Sequence, residues 1–140
     1  GRSIEDVWTE VRGEACACRQ QIHVGGPVTG PLVALHTEPI LAEMRVVDGV
    51  YCSMSADKIE ELVSTERTLV RFYAGYSGWG GGQLEAELAT GSWLTTLADD
   101  DAVFHTSDDD LWSKVVRRAS GADALPRFDL GSEDDNPALN

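Results

Sequence analysis

A chain of 140 residues with 42% apolar side chains suits one globular domain that buries roughly two thirds of its extended-chain surface. Eleven Lys and Arg against twenty-four Asp and Glu leave a formal charge of −13 and a pI near 4.4. That balance disfavours direct contact with nucleic acid, whose affinity comes largely from cations that displace counterions. No apolar run is long enough to span a bilayer and no signal-peptide pattern opens the chain. Three cysteines, Cys16, Cys18 and Cys52, are too few and odd in number for a disulfide framework, so the expected setting is the cytoplasm, with no membrane partner.

In chain order, Ser3 with Asp6 caps an amphipathic helix over about residues 4–12, with Ile4, Val7, Trp8 and Val11 as its stripe and Gly13 at its end. Gln20–Val24 reads as a strand closed by Gly25-Gly26-Pro27-Val28. Leu32–His36, behind Pro31, is almost wholly apolar, as in a central strand. Pro39–Val47 carries no clear signal. Val46–Met54 reads as a strand interrupted by Asp48-Gly49, and Ser55 caps a helix through about Ser64 that buries Ile59, Leu62 and Val63. Thr68–Tyr73 is β-branched and aromatic, hence a strand.

After a glycine-rich run, Gln83–Ala89 predicts a short helix ended by Gly91, and Trp93–Leu97 another strand. Ser107 followed by Asp108, Asp109 and Asp110 sets a cap and three carboxylates at a helix start, where the dipole favours anions. Leu111, Trp112, Val115, Val116 and Ala119 form the apolar face of that helix. Arg117 and Arg118 occupy its last turn, and Gly121 is placed as the left-handed residue after it. Periodicity ends at Ala122. Residues 1–121 therefore read as a single α+β domain, a mixed sheet or a partly closed, barrel-like sheet with flanking helices. Residues 122–140 read as an acidic, mobile tail.

The densest signal is Gly75-Tyr76-Ser77-Gly78-Trp79-Gly80-Gly81-Gly82-Gln83-Leu84-Glu85. Glycine at this density implies positive φ or close approach of main chain to something else. Together with Phe72-Tyr73-Ala74, Glu87 and Gly91-Ser92-Trp93-Leu94, it resembles the "F.GYAGWGPGQLE.E…GSWL" block of the AlgH/YqgE family of bacterial proteins. Gly25-Gly26-Pro27-Val28 with Leu35-His36 resembles that family's "GGPV…LH" segment. The resemblance runs from about Ser3 to Ala119. Two departures stand out: Gly81 replaces the family's usual proline, which leaves the loop less rigid, and a further amino-terminal segment of the family is absent from this sequence. The resemblance implies a protein of unsettled biochemistry. Family members are often labelled as candidate transcriptional regulators, and with a charge of −13 such a role points to protein contacts rather than DNA.

For chemistry, a strand, a glycine loop and a helix start can hold an anion, but no Lys-Ser/Thr follows and the glycine spacing fits no dinucleotide fingerprint. Gly75, Gly78 and Gly80 equally let Tyr76 and Trp79 fold back on the protein. Glu85 and Glu87 are two apart and diverge on a helix, so only one faces a pocket. His36, at the end of an apolar strand, is a candidate base or ligand and more often a satisfied strand-end residue. Cys16-Ala17-Cys18 with His23 lacks the second close pair of a zinc site, and the aspartate runs 99–101 and 108–110 lack the calcium-loop pattern. The reading is a binding or regulatory module without cofactor or metal, contacting an unidentified protein or small ligand through Gly25, Gly26, Pro27, His36, Gly75, Trp79, Gly82, Gln83 and Glu85. The alternatives are a hydrolase-type enzyme pairing His36 with Glu85 and, last, a direct DNA binder.

Overall fold

The structure, a computed structural model of the chain, describes residues 2–13, 18, 20–65 and 68–121. The expectations for Cys16 and for residues 122–140 fall outside them. Helix α1 (Ile4–Arg12) begins at Ser3, which accepts from the Asp6 amide while Asp6 returns a bond to the Ser3 amide, and ends at Gly13 with φ 73°. This is the reciprocal cap that the serine–aspartate spacing predicts.

Five strands follow: β1 (Ile22–Val24), β2 (Val28–His36), β3 (Met44–Val47), β4 (Val50–Ser53) and β5 (Val70–Tyr76). They form one sheet in the order β1-β5-β2-β4-β3. The β1–β5 pair is parallel and the other pairs are antiparallel. Both β1 and β3 are edges, so the sheet is open and mixed, and the barrel-like closure is not realised. Asp48-Gly49 is the turn of a β3–β4 hairpin rather than an interruption; Gly49 has φ 76°, the conformation such a turn demands. Residues Pro39–Leu41 form a single 3₁₀ turn.

Alternation divides the sheet into two faces. On one, Ala34, Val70 and Phe72 pack with Ile4, Leu41 and the Ile59, Leu62 and Val63 stripe of helix α2 (Ala56–Ser64). Phe72, Ala34, Ile4 and Leu62 are essentially sealed from water. Arg71, on the opposite face from Phe72, donates to the Thr106 carbonyl and to Asp108, drawing the start of helix α4 (Asp108–Ser120) against that side. A π-helical turn, Asp101–His105, leads into it.

Helix α4 departs from its expected face in one residue. Leu111, Lys114, Val115, Val116, Arg118 and Ala119 form the half-buried stripe, whereas Trp112 is 77% exposed. The cations on that stripe are satisfied by carboxylates: Lys114 by Asp101, and Arg118 by Asp99 at 2.8 Å. Gly121 is extended rather than left-handed.

The strand expected at Trp93–Leu97 is absent; residues 92–99 are irregular. Helix α3 (Gln83–Ala89) ends with Gly91 at φ 74°, its amide donating to Leu88 O while the Ser92 amide donates to Glu87 O. That pair of bonds is a Schellman turn. It turns the chain back so that Trp93 meets Glu87 of α3.

Gly25 and Gly26 press their main chain onto that of Gly75 and Tyr76. A Cβ at Gly26 would lie 2.2 Å from the Tyr76 carbonyl carbon, and one at Gly25 would lie 2.3 Å from Gly75 O. Around Gly81 nothing lies within 4 Å. Gly26→Ala is therefore expected to lower unfolding free energy by about 2–4 kcal/mol through forced backbone displacement. Gly81→Ala should stay within about 0.5 kcal/mol of the parent. Urea denaturation of the two variants checks this, and equal effects would contradict it.

Candidate functional site

The candidate residues fall into two separate places. Gly25, Gly26, Pro27 and Gly75 lie together where β1 and β5 end: the Gly25 amide donates to Ala74 O, and Gly75 takes φ 78° against Gly26 O and Val28 O. The two glycine-rich segments are thus side by side, as a shared site would require. Where they meet, each fills the space that a side chain on the other would need.

His36 lies elsewhere. It pairs with Val70 at one end of β5, whereas Val28 pairs with Tyr76 at the other end, six residues or about 20 Å along an extended strand. The imidazole has no exposed surface. Its Nδ1 accepts from the Glu38 amide at 3.2 Å, and Nε2 lies 3.0 Å from Ser53 Oγ. Ser53 Oγ in turn donates to Leu41 O at 2.6 Å, which leaves Nε2–H as the donor to the hydroxyl. Burial pushes the His36 pKa down, so the ring is neutral and ties β2, β4 and the 3₁₀ turn together. Glu85 is exposed in the first turn of α3, beyond the opposite end of β5. The sheet brings no acid–base pair together from His36 and Glu85.

The second half of the glycine run builds a different arrangement. Tyr76 lies over Gly30 and beside Gly78, where a Cβ would meet its ring at 2.8 Å and 3.6 Å. Gly82, at φ 76°, opens α3, and Gln83 Oε1 reaches back to accept from the Gly80 amide at 3.1 Å. Gln83 Nε2 donates to Glu87 Oε1 at 2.9 Å, one helical turn on. Glu87 Oε2 accepts from both indoles, Trp79 Nε1 at 3.2 Å and Trp93 Nε1 at 2.7 Å. The rings meet edge to face, with centroids 5.7 Å apart and planes at 71°.

One carboxylate therefore gathers the tryptophan before α3, the glutamine that starts it and the tryptophan after it. Bonds donated by Trp93, Gln83 and Trp79, in that order of weight, hold the Glu87 carboxyl below its ordinary value of 4.5. This assembly adds nothing to the buried core: α3 has no buried residue, and Trp79 and Trp93 stay 38% and 48% exposed. Trp79 and Gln83 are among the nine residues that the sequence marks for contact; Glu87 and Trp93 are not, although the four-residue step from Gln83 to Glu87 marks a shared helix face.

A third place holds an open depression of about 260 Å³, lined by Gln20, Gln21, His23, Arg71 and Phe104 among others. Its lining includes His23, weighed in the sequence only as a metal ligand, and none of the nine residues expected to make contact. His23 Nδ1 lies 3.1 Å from Asp108 Oδ2, and Arg71 pairs with the other oxygen of that carboxylate at 3.0 Å. Among the described residues, no three His, Cys, Asp or Glu gather closely enough to hold a metal ion. No helix among them is long and apolar enough to cross a membrane.

Comparison with known proteins follows the same motifs. The AlgH-like family model matches residues 2–124. A UPF0301 protein of Chlorobium limicola is 34% identical over 108 residues, covering 73% of this chain and 58% of the relative. One from Ruegeria pomeroyi is 36% identical over 116 residues, covering 79% and 62%. The solution structure of the AlgH protein from Pseudomonas aeruginosa superposes with a TM-score of 0.67 at 28% identity, covering 86% of this chain and 68% of that one. The chain spans about three fifths of the length of the curated relatives it matches.

Because the folded Glu87 carboxyl is depressed, its contribution to stability is complete above the ordinary carboxylate value and fades as pH falls through the folded one. The gap in melting temperature between the parent and Glu87→Gln should be widest above about pH 5 and should close below the ordinary value of 4.5. Thermal melts from pH 3 to 7 test this; a gap independent of pH would contradict it.

Proposed function

We propose that this chain, which belongs to the AlgH-like family, is a non-enzymatic binding or regulatory module whose working surface is the loop, helix and return segment between Tyr76 and Leu97. One observation carries the reading. A carboxylate, a glutamine and two indoles are fixed in place on a segment that contributes no buried side chain. Ordering costs conformational entropy, and here no burial within the core offsets it. Leu88, Trp93, Leu94 and Leu97 are 40%, 48%, 65% and 66% exposed on the same segment, an apolar concentration of the kind that marks interaction surfaces.

Enzymatic chemistry at His36 finds no support in a sealed, neutral imidazole with both nitrogens engaged. Direct DNA contact finds little in the basic cluster either, since Lys114 and Arg118 are held by Asp101 and Asp99. A regulatory role acts, on this reading, through protein contacts in the cytoplasm.

A photo-crosslinking residue at position 94 is expected to yield a discrete crosslinked partner in cells, whereas the same residue at Glu10, on the exposed side of α1, yields none. Equal labelling from both positions, or turnover of a small ester or amide by the purified protein, would overturn the reading.

A further inference from the structure

Resting on that reading, we infer that the Trp79–Glu87–Trp93 surface receives an arginine side chain of a partner protein. Three independent features converge on that chemistry.

Charge is the first. From Phe72 to Ser113 the sequence contains no Lys or Arg, yet it carries Glu85, Glu87 and the two aspartate triplets 99–101 and 108–110. The segment is a long acidic run in which Asp99, Asp101 and Asp108 already have cationic partners, while Glu87 is met by three neutral donors. The nearest cations along the chain are already paired, Arg71 with Asp108 and Lys114 with Asp101. Such a field attracts cationic groups and repels phosphates and acidic surfaces.

Acceptor capacity is the second. A carboxylate offers about four lone-pair sites, and Glu87 uses three of them, on Trp93, Trp79 and Gln83. Those bonds keep it ionised. The remaining site suits one charge-assisted N–H donor, which a guanidinium or ammonium supplies and a quaternary ammonium does not.

Ring geometry is the third. Two indoles with centroids 5.7 Å apart and planes near perpendicular offer more than one aromatic surface beside the same carboxylate, and both stay partly open to solvent. A cation over an indole face gains electrostatic attraction. Arginine adds planar stacking and a forked donor that lysine lacks. Leu94 and Leu97, exposed on the return segment, would take apolar residues flanking that arginine.

The test is a titration of the whole chain with a tetra-arginine peptide and its tetra-citrulline counterpart, at physiological salt, followed by tryptophan emission. The expected result is saturable quenching by the arginine peptide and none by the neutral isostere. Glu87→Gln should weaken binding at least about fivefold, because it removes the one charge in direct reach. Asp109→Asn, which removes one negative charge equally at the start of α4, should leave it within about twofold.

Equal binding of both peptides would overturn the inference, as would equal effects of the two substitutions. The peptide comparison on the unsubstituted protein stands even if Glu87→Gln fails to fold. A position-94 crosslink that tetra-arginine cannot displace would refute the cationic partner and leave the docking surface in place. Absence of both crosslink and binding would refute both.

Discussion

The contact between two stretches of bare main chain, Gly25-Gly26 against Gly75-Tyr76, is the constraint on which the rest of the molecule depends. It closes the parallel pairing of β1 with β5 at the point where β5 leaves the sheet. No side chain fits between the two segments, so the exit of β5 has one position. That position sets the start of the loop, and through the loop the place of α3. The work of the glycines is to bring backbone to backbone at a distance that any Cβ would prevent.

Beyond that anchor the segment is organised by polar bonds rather than by burial. Gly82 and Gly91, both left-handed, bracket a helix of two turns, and the Schellman turn at Gly91 delivers Trp93 back to the carboxylate that Trp79 has already reached. The block Gly75–Leu94 thereby has a mechanical explanation: glycines for entry and reversal, glutamine and glutamate one helical turn apart, and a tryptophan on either side to meet them. An isolated two-turn helix is marginal in water. Four hydrogen bonds centred on Gln83 and Glu87 give this one a fixed geometry at the surface.

Local chemistry made much of this legible in advance. Ser3 with Asp6, Ser107 with Asp108–Asp110 and the apolar stripe of α2 each combine a cap, a dipole and a periodicity that agree, and the corresponding helices form. The order of strand and helix signals led to the α+β class, and the two glycine motifs led to the family. Three features depended on which side chains meet, which periodicity does not encode, and were not legible. Trp93–Leu97 has strand-like composition, but its indole is held by Glu87 and its backbone by a helix end. Glu85 and Glu87 looked interchangeable, and only the position of two indoles on one side of α3 selects Glu87. His36 reads in the sequence as more often a satisfied strand-end residue than a reactive one; its partners, the Ser53 hydroxyl from β4 and the Glu38 amide two residues on, are what the sequence does not name. Helical phase and composition say which faces exist, not what meets them.

That a single carboxylate holds both indoles is most directly tested by the indole N–H signals of Trp79 and Trp93 in a pH titration followed by nuclear magnetic resonance. The two signals should shift together, with one shared midpoint below the ordinary carboxylate value of 4.5, while those of Trp8 and Trp112 do not follow that transition. Separate midpoints for Trp79 and Trp93, or no titration of either, would contradict the arrangement.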